Sequence, residues 1–585
     1  MRWLVALVLA GCQPAATPDR APGPPAEEGD TATPSGDPTP IYAVLMIGDG
    51  MGFEHLDAAS GYRHGTHGSL QMQALPHRGT VRTASPSGIT DSAAAATVMA
   101  SGVFTYNRYI GVDRDGEPVE TLVELARSLG LGTGVVSTAI LSHATPASFT
   151  AHVLDREWMD DIAEQQLALP ADVMFGGGGD FFTGTAPGLQ VYAPEHMDYD
   201  WERTDQPALV DLSIEALDRL ESEHPEGFFL MIEGARIDMA SHVNDLSNAV
   251  GDTLAFDDAI AGVRDWLAVR DGTLVVTADH ECGGLSVDSD PEVGVLPEAS
   301  WRWGVHTNAD VPVFGVGPGT EVFDGRQVDH RTVHAVLRSR LVQQDFAEPG
   351  PVKMADGYLD DLRLLGSSQV HTTDFGEGFN QLDAVRFDAD PDSLFVGFEG
   401  TFEWDTNAVV LLIDADYGAA TGLPAMLGAV TDIQGFADQL LSGMQLTAPA
   451  DPGFGADFAL VAHGGQEVWL DALGPQGGLR SLSNPADLPW LGAVVNFGEG
   501  SRVPGAAPIP GVGLELAIPW HSLYGEVPES AQMAFAAVLV NDDGGYLSNQ
   551  ALPPFADPVG AARNPAPIPG LVVLTLENGA VELAN

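Results

Sequence analysis

The 585-residue sequence predicts an α/β domain with a mainly parallel sheet and helices on both faces, followed by a separate all-β sandwich. Between residues 41 and 316, short continuously apolar runs alternate with stretches of helical apolar spacing. A strand that is apolar at every position is covered on both faces, which is the condition of a parallel sheet packed between helices. After about residue 350 the texture changes to short strands of alternating polarity between Gly and Pro turns, the pattern of a β-sandwich. The length is also too great for one compact core, so the chain divides into residues 41–350 and 351–585.

Taken in order, the apolar runs Ile41 to Ile47, Gly134 to Thr138, Asp172 to Phe175, Phe228 to Ile232, Thr273 to Thr277 and Val311 to Val316 are the predicted strands of the first part. The Ala-rich stretch after Ser92, Thr121 to Leu129, Pro207 to Leu220 and Thr253 to Val269 are its helices. In the second part the strands are Ala384 to Phe387, Leu394 to Glu399, Val409 to Ile413, Gly513 to Ile518 and Met533 to Asn541. Ligands of an open α/β sheet bind beyond the carboxyl ends of its strands.

The first 40 residues read as an address rather than as fold. Arg2 precedes the apolar run Trp3 to Ala10, too short to span a bilayer, and Leu9-Ala10-Gly11-Cys12 resembles the lipobox of bacterial lipoproteins. Residues 1–11 are therefore expected to be a cleaved signal, with Cys12 acylated and anchored to a membrane. Residues 12–40, rich in Pro, Ala and Gly, cannot repay ordering entropy and form a tether. The expected place of work is the bacterial cell envelope, facing periplasm or exterior. Acylation of Cys12 leaves Cys282 without an intramolecular disulfide partner.

With 25 Lys plus Arg against 82 Asp plus Glu the formal charge is −57, which argues against nucleic acid as a partner, since polyanions repel. Lys353 is the single lysine. A 44% hydrophobic content with 10 Trp and 24 Phe nevertheless supplies real cores, so the acidity does not mean disorder. Either a salt-rich setting or a bias toward Arg codons accounts for the missing lysines.

Metal-type ligands fall just after predicted strands. Asp49 lies among the glycines of Gly48-Asp49-Gly50-Met51-Gly52, and Glu233 closes a strand. Asp238 and His242 are four residues apart, on one helix face, as two ligands of one cation require. Asp279-His280 follows the strand ending at Thr277, and His306 precedes the one at Val311. Two imidazoles and a carboxylate suit zinc, whereas the oxygen set of Asp49 and Glu233 suits magnesium. Each residue alone is more often a cap, a turn residue or a core His.

Together they resemble the alkaline phosphatases. The matching pieces are Gly48 to Gly52, Thr90-Asp91-Ser92-Ala93-Ala94-Ala95-Ala96-Thr97, His143-Ala144-Thr145-Pro146, Glu233 to Asp238 with His242, Thr277 to Glu281, and His306-Thr307. They stand in the family's chain order, within residues 41–345. The resemblance implies a phosphate monoester hydrolase acting through a phosphoserine at Ser92, with Arg156 clamping the phosphoryl group and Asp91 orienting it. It implies Asp238, His242 and His306 on one zinc, and Asp49, Ser92, Asp279 and His280 around a second. Asp49, Thr145 and Glu233 would hold a third ion, usually magnesium.

The departures matter too. His143 stands where the enterobacterial-type enzymes carry Asp, and Met239 where they carry Lys, so the third site is expected to admit zinc as well. The short core leaves a homodimer open. His55, His64, His67 and His77 read as a loop cluster that could border the site, more often simply solvated. The sandwich has a weak resemblance to carbohydrate-binding modules, which leaves glycan contact open; Asp414, Asp416, Asp542 and Asp543 could hold calcium there, although turn aspartates are commoner. Rival readings are a phosphodiesterase or sulfatase of the same metal superfamily, or a non-catalytic surface protein binding phosphate or glycan.

Overall fold

A computed structural model describes residues 39–350 without a break and, between 352 and 584, a series of separated stretches. The expected signal peptide, Cys12 and nearly all of the tether lie outside the described residues. Among the described residues no helix is long and apolar enough to cross a membrane.

The first region runs β1 (Ile41–Gly48), α1 (Phe53–His64), β2 (His77–Arg82), α2 (Ser92–Ser101), α3 (Leu122–Ser128), β3 (Gly132–Ile140), α4 (Ala144–Ser148), α5 (Met159–Ala168), β4 (Val173–Gly177), β5 (Leu189–Val191), α6 (Leu209–Glu223), β6 (Gly227–Gly234), α7 (Arg236–His242), α8 (Leu246–Leu267) and β7 (Gly272–Thr277). It continues through the short strands β8 (Glu281–Cys282), β9 (Leu285–Val287), β10 (Ala299–Trp301) and β11 (His306–Thr307) to β12 (Val311–Val316), β13 (Gln327–Asp329) and α9 (His330–Val342).

Nine of these strands form one sheet in the order β13-β2-β12-β7-β1-β6-β3-β4-β5. Its centre is parallel: β1 lies between β6 and β7, with Ile47 opposite both Glu233 and Thr277. That register lines up the carboxyl ends of β1, β6 and β7, so Asp49, Glu233 and Asp279 leave the sheet side by side. Every residue of β1 from Tyr42 to Gly48 is buried, as expected of a strand covered on both faces.

The sheet is mainly parallel, as expected, and β12 is its exception, running antiparallel to both β7 and β2. The reason is connectivity. Between β7 and β12 the chain builds only the small ladders β8–β11 and β9–β10. With no crossover helix to carry it to the other edge, it re-enters the sheet from the end it left.

The predicted helices are present with shifted ends. The last is a single helix starting at Leu246, seven residues before the expected start at Thr253, with Asp245 capping it through the Asn248 N–H. Ser92 is the first residue of α2, and Asp91 occupies the cap position, accepting from the Ala94 N–H at 3.0 Å.

Beyond residue 350 the described stretches are mostly strands, in sheets that are antiparallel apart from the pairing of Gln445–Thr447 with Ala566–Pro567 and that share none of the first region's ladders. Strands Gln381–Ala389, Ser393–Thr401 and Gly513–Pro519 belong to one, and Asn407–Asp414, Phe458–His463 and Ser530–Asn541 to another. Each expected strand falls within one of these. Phe387, Leu394 and Phe398 of the first sheet and Leu411, Ile413, Phe535 and Leu539 of the second join one hydrophobic cluster, separate from the cluster around the large sheet.

Candidate active site

Three convergent groups of side chains form at the carboxyl end of the large sheet. In the first, α7 follows β6 directly and carries Asp238 and His242 one turn apart, while the β8–β11 ladder brings His306 to them. His242 Nδ1 lies 2.9 Å from the Gly304 carbonyl and His306 Nδ1 lies 3.0 Å from the Thr90 carbonyl. Both partners are pure acceptors, which assigns a proton to each Nδ1 and leaves two Nε2 lone pairs facing one another at 3.1 Å. Asp238 adds Oδ2 at 3.3 Å from His242 Nε2 and Oδ1 at 3.6 Å from His306 Nε2. Such an array calls for a cation at its centre. A proton can serve in its place: Asp238 pushes His242 up to about 9. Burial works against the ionised Asp238, yet the surrounding histidines hold it well below the usual carboxylate range.

The second group is fully buried. His280 Nε2 lies 3.3 Å from Ser92 Oγ, 3.1 Å from Asp279 Oδ2 and 3.7 Å from Asp49 Oδ1. Asp279 Oδ1 accepts from the Gly50 and His280 N–H groups at 3.0 and 2.9 Å, which fixes the carboxylate against the Asp49 turn. Gly50 has a positive φ of 72°, and a Cβ there would stand 2.8 Å from the Asp238 backbone, so the glycine lets the Asp49 turn and α7 meet.

The third group is Asp49, Glu233 and Thr145, the last on the short helix α4. Glu233 Oε2 accepts from Ser137 Oγ at 2.5 Å, while Glu233 Oε1 and Thr145 Oγ1 are buried without a hydrogen-bond partner. Both oxygens of Asp49, Asp238 Oδ1 and Asp279 Oδ2 share that condition. Burial pushes Asp49 upward, Glu233 up to about 7 and Asp279 up to about 6, each reinforced by neighbouring carboxylates. Unmatched buried carboxylate oxygens cost several kcal/mol each unless cations meet them, so the donor set fits metal ions.

Beside the groups, Arg156 Nη1 donates to Asp91 Oδ2 at 3.0 Å and Nη2 lies 3.2 Å from His143 Nε2. Asp91 is thus shared between capping α2 and holding Arg156. The amino end of α2 and the Arg156 fork both face the Ser92 end of the site, an arrangement suited to an anion.

Sequence reasoning missed several neighbours. Ser137 on β3 reaches Glu233 because β3 pairs with β6 at that level. His196 packs edge-on against His143 with ring centroids 5.3 Å apart and comes from a loop without any motif. Cys282 joins the first group: its sulfur, one oxygen of Asp238 and one nitrogen each of His242 and His306 lie within 4.8 Å of one another. The expected histidine cluster is not a loop cluster. His55 and His64 lie on α1, and His55 is buried, bridging the Gly52 N–H at 3.2 Å and Ser241 Oγ at 2.9 Å, whereas His67 and His77 pair with Asp57 and Asp324. In the C-terminal region Asp414 and Asp416 meet Asp457, but Asp414 accepts from the Asp416 and Gly455 N–H groups, as a turn aspartate does. Asp542 and Asp543 lie outside the described residues.

The alkaline phosphatase family profile matches residues 42–187 and 183–299. The chain is 33% identical to alkaline phosphatase 3 of Bacillus subtilis, over 50% of this chain and 86% of that protein. It is 31% identical to streptomycin-6-phosphate phosphatase of Streptomyces griseus, over 53% of this chain and 93% of that one. With alkaline phosphatase 4 of Bacillus subtilis it shares 32% identity over 43% of this chain, which spans 63% of that relative. The matched segments contain the strands and turns that bring Asp49, Ser92, Glu233 and Asp279 together, and on that agreement of sequence and site the chain belongs to the alkaline phosphatase family.

Proposed function

We propose that residues 41–350 hydrolyse phosphate monoesters through a phosphoserine at Ser92. The observation that carries this is the set of buried, unmatched acceptors of Asp49, Asp279, Asp238 and Glu233 at the strand ends, where His280 Nε2 stands 3.3 Å from Ser92 Oγ. Asp238, His242 and His306 would hold one zinc, and Asp49, Asp279 and His280 a second beside Ser92. Asp49, Thr145 and Glu233 would hold the third ion, magnesium or, with His143 nearby, zinc. When bound, these cations supply Lewis acidity and lower the proton affinity of a hydroxyl or a water.

The protein's own groups then do the positioning. Ser92 Oγ attacks phosphorus in line with the leaving alcohol, and the amino end of α2 faces the charge that spreads over the phosphoryl oxygens. Arg156 takes two of those oxygens in its planar fork, and Asp91 keeps that fork from swinging away. Hydrolysis of the phosphoserine consumes one water, releases phosphate and restores the Ser92 hydroxyl. A Ser92→Ala chain is expected to lose p-nitrophenyl phosphate turnover while keeping its metals. Retained turnover would refute the nucleophile. Comparison of monoester, diester and sulfate ester substrates separates this reading from its superfamily rivals.

The chain's place at the envelope rests on the lipobox-like Leu9-Ala10-Gly11-Cys12. Fractionation of cells making the native chain beside a Cys12→Ser variant tests it, with lipid label and membrane recovery expected only for the native chain. For residues 351–585 the proposed role is an accessory β-sandwich that contacts glycans, tested by retention of the full chain on insoluble polysaccharide.

A further inference from the structure

Cys282 is fully buried, in the two-residue strand β8, directly opposite His306 of β11. Directly opposed residues of an antiparallel pair leave the ladder on the same face. The Cys282 N–H also donates to the Gly50 carbonyl at 3.1 Å, which locks this strand against the Asp49 turn. The sulfur consequently stands among the first group of ligands, within 4.8 Å of one donor atom from each of Asp238, His242 and His306. Two donors on one tetrahedral zinc ion are separated by about 3.3–3.8 Å, given Zn–N and Zn–S bonds of roughly 2.0–2.3 Å. Small side-chain adjustments therefore bring the four to one ion.

A second observation points to a ligand at the same place. Asp238 is 6% exposed, its Oδ1 has no hydrogen-bond partner, and that oxygen faces His306 Nε2 at 3.6 Å. The two imidazole Nε2 atoms converge at 3.1 Å with both Nδ1 positions already committed to carbonyls. The thiol thus borders a centre in which Asp238 Oδ1 lacks a hydrogen-bond partner and two imidazole Nε2 atoms converge.

Resting on the metal-centre reading above, we infer that Cys282 is a fourth protein ligand of the ion held by Asp238, His242 and His306. A free thiol carries its proton at neutral pH. Ion binding displaces that proton to solvent and forms the sulfur–metal bond, with no change of oxidation state. A thiolate makes this donor set softer than the oxygen-rich set of Asp49 and Glu233, so the two sites sort zinc from magnesium more sharply than histidines alone would.

The test is the near-ultraviolet and visible spectrum of the full chain, stripped of metal and reloaded with cobalt(II). A sulfur-to-cobalt charge-transfer band is expected in the unmodified chain and in Cys12→Ser, and absent from Cys282→Ser. Zinc retention against a chelator should fall at least about tenfold in Cys282→Ser. Cobalt bound in an active chain without the band, a band unchanged in Cys282→Ser, or unchanged zinc retention would each overturn the thiol ligand while leaving the metal centre standing. A chain that takes up neither cobalt nor zinc would overturn both. The first spectrum needs no variant, so it decides the matter even where a substitution prevents folding.

Discussion

Buried carboxylates occur in both regions of the molecule, and their partners differ. In the C-terminal region Asp388, 2% exposed, accepts from Arg363 Nε and Nη2 at 2.7 and 2.8 Å and from the Ala389 N–H, and it pairs with Lys353, the only lysine. Burial there is outweighed by Arg363 and Lys353, which hold Asp388 well below the usual range. In the catalytic region Asp49 is equally buried, yet neither of its oxygens has a hydrogen-bond partner, and it is pushed the opposite way. A buried acid is therefore no sign of a cation site by itself. What marks one is a group of acids whose acceptors converge and are left unmatched by the protein.

The comparison can be broken by removing the cations. Chelation should abolish phosphatase turnover and destabilise the catalytic region by about 4 kcal/mol where free metal stood at a thousand times its dissociation constant. Calorimetry should show the C-terminal transition unmoved; a shift of both transitions would mean that the two regions do not differ in this way. Next in size is Asp49→Asn. It should cost at least about a hundredfold in turnover. The metal-free variant, relieved of a buried charge, should nonetheless resist urea better than the metal-free parent at pH 8. Lower resistance would show that Asp49 is matched within the protein after all.

The pH dependence of the metal-free chain sharpens the same point. Glu233 at about 7 and Asp279 at about 6 have folded values above their unfolded ones, so each contributes a penalty that is absent below about pH 4 and complete above about pH 7. His242, raised to about 9, contributes stability that is present below its ordinary value of 6.5 and lost as pH climbs through 9. Both effects make stability fall by a few kcal/mol between roughly pH 4 and 9. Asp238, shifted downward, acts the other way only at lower pH. Urea titrations should show this fall without metal and a flatter profile with it.

Asp388→Asn should cost the C-terminal region about 1–2 kcal/mol, below the 3–5 kcal/mol typical of a broken buried pair, because the Arg363 side chain is 74% exposed. Its contribution is present above an unfolded value near 4 and disappears in acid, opposite in sign to Glu233. Turnover should be unchanged. The smallest effect belongs to Thr121→Ala, which removes the Thr121–Glu124 capping box of α3 and should cost about 1 kcal/mol with or without metal.

Much of this was legible in the sequence because it is local. Continuous apolar runs fixed β1, β6 and β7, and with them the three exits that carry Asp49, Glu233 and Asp279. The four-residue spacing of Asp238 and His242 placed both on one helical face whatever the rest of the chain did. Register and chain reversal were not legible, since they depend on partners far away in sequence. The antiparallel course of β12 follows from how the β7–β12 segment folds back, and no local pattern in Val311–Val316 distinguishes the two directions. His55 reads as one more loop histidine until α1 turns it into the core toward Ser241. Cys282 is an unremarkable residue until the β8–β11 ladder sets it opposite His306. The sequence by itself determined which residue types stand at the strand ends, because periodicity and turn chemistry act over a few residues. Only the tertiary structure decided which of those ends meet and which acceptors stay unmatched, because contact across the sheet is set by pairing and burial rather than by neighbours along the chain.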